Sequence, residues 1–238
     1  MTRAVAFAVA MALSALLGTA PALAERRVYT YFIMHPLYGQ IGTLTDTLDR
    51  SPEGMRITAR LRITVELLGI VVYRQDTDTI EIMRGNRLMS LESASNKDGQ
   101  HAEVHGEVRG DRFTVNATGG LFSGPATTFP SDPWVLTRAG AATIVYTDTG
   151  RIAKVYISGG DHSAAFANGT LVSARHFIVM GDKRQEVWLD DRGVPIMFRS
   201  IEDGTPIDFV LQNATQVAGV VLMAPSKRLV LAMPERGR

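Results

Sequence analysis

Between Met55 and Leu67 the sequence alternates without a fault. Met55, Ile57, Ala59, Leu61, Ile63, Val65 and Leu67 fall on one side, and Arg56, Thr58, Arg60, Arg62, Thr64 and Glu66 on the other. A period of two is that of a β-strand with one face buried. A slip by one residue would turn three arginines and a glutamate inward and expose seven apolar groups. Burial of each of the larger ones is worth roughly 1.5 to 3 kcal/mol, so the register is firmly set. The run is also longer than the usual strand of roughly three to ten residues, which favours a sheet that curls around its core.

A second pattern supports an antiparallel meander. From His101 to Thr118, Ala102, Val104, Gly106 and Val108 alternate on one arm and Phe113, Val115 and Ala117 on the other, with Gly110-Asp111 as the turn. Pairing outward sets Val108 opposite Phe113, Val104 opposite Ala117 and His105 opposite Asn116, so like meets like. Similar punctuation recurs at Ser51-Pro52-Glu53-Gly54, Asp148-Thr149-Gly150, Gly181-Asp182, Asp191-Arg192-Gly193 and Glu202-Asp203-Gly204. The expected fold is all-β in the main: a curved antiparallel meander of roughly ten to twelve strands, half-barrel or barrel-like, with one or two short helices.

The best helix candidate opens at Ser131 or Asp132 as N-cap, with Pro133 in the first turn and Trp134 to Ala139 following. Asp76 to Arg84 reads as strand or helix. Gly119 to Pro130 reads as a long surface loop, the kind of segment on which function often sits. The domain is expected to span residues 25–211, with 212–238 as a C-terminal tail of uncertain order.

Residues 1–24 read as a signal peptide. Arg3 is a short positive region, Ala4 to Leu17 is apolar apart from Ser14, and Ala22-Leu23-Ala24 is a small-x-small cleavage site. The apolar core is shorter than the roughly 20 residues a spanning helix needs, so no stable membrane anchor is expected after cleavage. With no cysteine for lipidation, the product is expected to be soluble, in the periplasm or secreted. Losing Arg3 takes the formal net charge from +1 to zero, which gives no field for steering nucleic acid. The absence of cysteine excludes disulfides, thiolate metal sites and a cysteine nucleophile.

Several constellations spell chemistry without the geometry it needs. His101, Glu103, His105 and Glu107 share a face of one strand, and imidazole with carboxylate binds divalent ions. Metalloprotease spacing is helical, however, so His101 and His105 remain weak metal candidates against a solvated outer face. Asp161-His162-Ser163 holds the residue types of a hydrolase triad, but neighbours in sequence do not converge, and a turn after Gly159-Gly160 is the plainer reading. Arg109-Gly110-Asp111 is explained by its turn, and Asp190-Asp191 by the turn ending at Gly193. No phosphate-binding or dinucleotide fingerprint occurs, and no cofactor is expected.

In the last third of the chain, Val187-Trp188-Leu189-Asp190, Arg192-Gly193-Val194-Pro195, a strand through Phe198, Asp203-Gly204-Thr205-Pro206-Ile207 and Phe209-Val210-Leu211 follow in order. With Gly39-Gln40-Ile41-Gly42, the long alternating strand and the strand from His176 to Gly181, this resembles a family of secreted bacterial β-rich proteins of unknown function, over about Val28 to Leu211. The resemblance implies a curved sheet similar to the half-barrel of the periplasmic lipoprotein carriers LolA and LolB, whose concave apolar face holds acyl chains. A fold alone does not fix a function.

Three functions compete. The first is non-enzymatic binding of an apolar or lipid-like ligand, such as a lipid or lipoprotein acyl chain, in the curved sheet. Ile57, Leu61, Ile63 and Val65 are its candidate lining, and the same residues are ordinary core if the interior is filled. The second is a structural or adaptor module docking an envelope protein partner through a sheet edge or the Gly119 to Pro130 loop. The third, a metal-dependent hydrolase, would need a converging carboxylate or histidine pair.

Overall fold

The computed structural model describes residues 25–134, 138–167 and 169–217. Its strands run as two chains of hairpins. The first comprises β1 (Glu25–His35), β2 (Gly39–Ser51), β3 (Gly54–Leu67), β4 (Ile70–Arg84), β5 (Arg87–Lys97), β6 (Gln100–Arg109), β7 (Arg112–Ala117) and β8 (Gly120–Pro125). The second comprises β9 (Phe129–Pro130), β10 (Gly140–Val145), β11 (Ile152–Ala167), β12 (Thr170–Met180), β13 (Arg184–Leu189), β14 (Pro195–Glu202) and β15 (Thr205–Val217). All fifteen belong to one sheet in the order β8-β7-β6-β5-β4-β3-β2-β1-β15-β14-β13-β12-β11-β10-β9. Neighbours are antiparallel throughout, except that β9 runs parallel to β10.

The first and last strands therefore sit side by side in the middle of the sheet, and its edges fall at mid-chain. The sheet curls until these edges approach. A Cβ on Gly124 of β8 would lie 2.8 Å from Thr128 Oγ1 and 3.0 Å from Ile152 Cγ2. One on Gly150, in the turn before β11, would lie 2.8 Å from Val115 and 2.9 Å from Ala117. The fold is thus an open, barrel-like sheet, all-β as its alternation demands.

Inside, Tyr31, Ile33, Leu48, Ile57, Met83, Leu88, Leu91 and Phe113 form the larger part of the core. A second cluster, with Ile144, Val155, Phe177, Val187 and Leu189, fills the β10–β13 side. Outside, register shifts in β11 between Gly159 and His162, and the strand beyond comes over β14 and β15. There Ser163 Oγ accepts a 3.0 Å hydrogen bond from Trp188 Nε1. Ala165 and Ala174 join Trp188, Met197 and Val210 in the buried set.

Several expectations change. There are more strands than the punctuation suggested, because Leu68-Gly69, Gly85-Asn86, Asp98-Gly99 and Thr118-Gly119 also reverse the chain. Asp76–Arg84 is strand. The expected Gly119 to Pro130 loop is mostly β8 and β9, since Leu121, Phe122 and Ser123 continue the ladder beside β7. No helix occurs among the described residues. Asp132 Oδ1 does accept the Trp134 amide at 2.7 Å, as an N-cap would, but Asp132 to Trp134 form only a turn, and 135–137 lie outside the described residues. Asp161-His162-Ser163 is not a turn but part of β11. The boundary expected at Leu211 falls inside β15, which stays paired with β1 through Val217. The signal peptide with Ala22 and Ala24, and residues 218–238, lie outside the described residues.

Candidate functional site

Curling leaves an interior cavity of about 900 Å³, at the upper end of the range typical of small-molecule sites. The in-facing rows of β2, β3 and β15 make an apolar wall with Ile41, Leu44, Ala59, Leu61, Ile63, Val65, Ile207 and Phe209. The in-facing rows of β4 and β5 make a polar one. Gln75, Thr77, Thr79, Ser95 and Lys97 border the space, and Thr79 and Ser93, opposite each other in the ladder, share a hydrogen bond at 3.1 Å. The two walls adjoin because alternation places Leu61 opposite Thr77 and Ile63 opposite Gln75.

The strand directions put one end of the cavity among turns. Tyr38, Val72, Gln100, His101, Thr118, Asp148, Lys183 and Asp203, from turns or strand ends on one side of the sheet, all border it. Lys183 Nζ stands 3.4 Å from Glu202 Oε2 and 3.7 Å from Asp148 Oδ2, tying its own turn to two others at this end.

Deeper, the segment after β9 enters the interior. Ser131, Asp132 and Pro133 border the cavity. Trp134 Nε1 donates to Asp46 Oδ2 at 2.8 Å, and its ring lies 4.5 Å from that of Tyr29. Asp46 and Glu81 are each 1% exposed. Burial raises the Asp46 carboxyl to about 7, against the opposing pull of the Trp134 hydrogen bond. Burial also drives Glu81 and Asp132 well above the carboxylate range, reinforced by the neighbouring acids. Asp132 keeps part of its surface on the cavity. Asp46 Oδ1, Glu81 Oε2 and the Tyr146 hydroxyl are buried without a protein partner. Burial holds Asp132 at the cavity and Glu81 behind it in the protonated form, while Asp46 keeps its proton below about pH 7, so this end of the cavity disfavours an anion.

Of the residues singled out from sequence, Leu61, Ile63 and Val65 line the cavity. Ile57, 1% exposed, does not; it faces Glu81 across the ladder and belongs to the packed core. His101 lies at the cavity rim. His105, on the outer face, stands 3.5 Å from Glu103. Among the described residues no three His, Asp or Glu side chains are placed to hold a metal ion. His162 and Ser163 do not form a triad: His162 Nδ1 meets Ser173 Oγ at 3.1 Å, while Ser163 is engaged by Trp188. Asp190 Oδ1 accepts the amides of Arg192 and Val194, which shapes its turn.

The buried acids were not singled out as site residues. Their signal is positional: in Leu44-Thr45-Asp46-Thr47-Leu48 an acid occupies the apolar register, and Glu81 shares its face with Met83.

No curated protein matches the chain. A crystal structure of a beta-barrel-like protein of the domain of unknown function DUF1849 from Brucella abortus has the same fold, with a TM-score of 0.59 and 11% identity. The likeness covers 83% of this chain and 99% of that one. At this identity it speaks to fold alone. The model of the family described as Domain of unknown function (DUF6134) matches residues 39–212, most of the chain, and the protein belongs to that family.

Proposed function

We propose that the protein is a non-enzymatic binder of an apolar or lipid-like molecule, held inside its curled sheet, and that it works in the periplasm or outside the cell. The observation that carries this reading is the 900 Å³ interior space with one apolar and one hydroxyl-bearing wall. A molecule with an alkyl portion and a polar group fits such a division. The alkyl portion lies along Leu61, Ile63 and Val65. The polar group reaches Thr77, Ser95 or the Asp46 carboxyl.

An adaptor role through the sheet edge draws less support, because β8 closes against Thr128 and Ile152. The test is native mass spectrometry of the mature protein purified from the periplasm, with analysis of its organic extract. A stoichiometric adduct that is weakened in Ala59→Phe, whose ring would project into the cavity, is the expected result. A bare mass, together with no uptake of a fluorescent alkyl probe, would overturn the reading.

A further inference from the structure

Among the described residues, the largest continuous run of exposed apolar side chains lies at the β3–β4 turn. Leu67, Leu68, Ile70, Val71 and Val72 are all exposed, and Leu68 is fully so. Leu67 faces Ile70 across the ladder on the side of the sheet that holds Val65, whereas Val71 faces Glu66 on the other. Both faces of the tip are therefore open to solvent, and the tip stands clear of the sheet. Leu37, 81% exposed, and Tyr38 lie in the β1–β2 turn at the same end, because Gly42 pairs with Ile63 and both strands run out to this rim.

The turn itself departs from the chain's own habit. Three tight turns have positive φ at two successive residues, with non-glycine at the first: Leu68-Gly69 (52°, 82°), Asp98-Gly99 (50°, 84°) and Asp203-Gly204 (49°, 79°). Two use aspartate, which tolerates this conformation and is favoured there. Leucine is disfavoured on both counts. At Leu68 the chain holds a strained backbone under a side chain that meets no protein neighbour, which points to something outside the protein.

We infer that this hairpin tip docks the protein on a lipid bilayer, inserting at headgroup level with the cavity mouth beside it. Area argues against a second copy of the chain, since a stable interface buries about 800 Å² per partner, more than one narrow tip supplies. Charge argues for a bilayer entered by apolar side chains. Nothing between Glu66 and Arg74 is charged. The arginines nearest the tip are engaged on the protein, Arg74 with Asp76 at 3.0 Å and Arg62 with Asp78 at 2.8 Å, and Lys97 lies over the Tyr73 ring at 5.6 Å. A tip of this kind needs no anionic lipid. The tip also continues into the cavity, since Val65 and Val72 border it.

The experiment is flotation of the mature full chain with vesicles of phosphatidylcholine alone and of phosphatidylcholine with phosphatidylglycerol, at low and high salt. The variant is Leu68→Asp with Val71→Asp. The first substitution restores the turn residue the chain uses elsewhere, so folding is expected to be preserved and is checked by thermal melting. Association with both vesicle types, insensitive to salt and at least about tenfold weaker in the double variant, is expected from the burial of two such side chains. Absence of association, or association confined to anionic vesicles and abolished by salt, would overturn the inference. So would a self-association that the variant removes without any vesicle binding. Ala59→Phe, with its cavity narrowed, is expected to dock as the unmodified protein does, so a failure of docking and a failure of ligand binding are read apart.

Discussion

At the scale of single residues, Asp46 carries the most specific consequence. Its proton leaves near 3.8 in an ordinary aspartate and near about 7 in the folded protein, because the buried site disfavours the charge. Between those values the native state binds a proton that the unfolded chain has lost, so stability is greatest at the acid end and falls as pH rises toward about 7. Glu81 and Asp132 are raised for the same reason and act with the same sign. Asp46→Asn keeps an oxygen for Trp134 Nε1 and removes the charge. Urea midpoints measured between about pH 5 and pH 8 should decline in the unmodified protein, with a flatter profile and a higher midpoint at the alkaline end in the variant. Equal slopes would mean that Asp46 is solvated in the folded state. Gly106 offers a steric counterpart: an added Cβ would lie 2.7 Å from the Phe113 ring. Gly106→Ala is expected to lower stability by about 1 to 3 kcal/mol in the same assay.

At the scale of elements, β3 separates two environments along one strand. Ile57 is sealed between β2 and β4, facing Leu48 and Glu81, while Leu61 borders the cavity. Ile57→Ala leaves a void in packed surroundings and should reduce stability by roughly 2 to 5 kcal/mol. Leu61→Ala enlarges a space already present, has fewer contacts to lose, and is expected to fall at or below the bottom of that range. Similar losses at both positions in urea unfolding would mean that the cavity is filled in solution. Alternation alone made both residues in-facing but could not tell them apart, because whether a sheet face meets another wall or an open space depends on curvature over many strands. The same limit hid the polar wall, since Gln75, Thr77 and Thr79 read by themselves as a solvated face. Hairpin registers were legible where turn and pattern agreed, as at Gly110-Asp111. They were missed at Thr118-Gly119, where the chain reverses and glycine-rich sequence forms a further strand because its neighbour β7 supplies a template.

At the scale of the whole molecule, the placement of the ends decides where the sheet is strong. β1 and β15, far apart in sequence, pair at the centre with Phe32 opposite Val210, so closing the fold depends on a contact of very long range. The seam falls instead between β8 and β9, which are consecutive in the chain but not paired with each other. Around it stand isolated hydrogen bonds, Ala126 N to Asp111 O and Thr128 N to Pro125 O, both at 2.9 Å, with Arg87 Nε reaching Ala126 O at 3.1 Å. Without a continuous ladder across it, the seam should open at lower free energy than the centre. Amide exchange is expected to be fastest in β8 and β9 and slowest in β1, β2 and β15. Gly124→Val tests the same point by wedging the seam, because its side chain would press on Thr128 and Ile152. Overpacking of about 1 to 3 kcal/mol in a domain of this size corresponds to a fall of roughly 2 to 12 °C in Tm. The accelerated exchange should be confined to β8 to β10. If the variant instead accelerated exchange evenly across all strands, the sheet would unfold as one unit and the seam would not open separately from the centre.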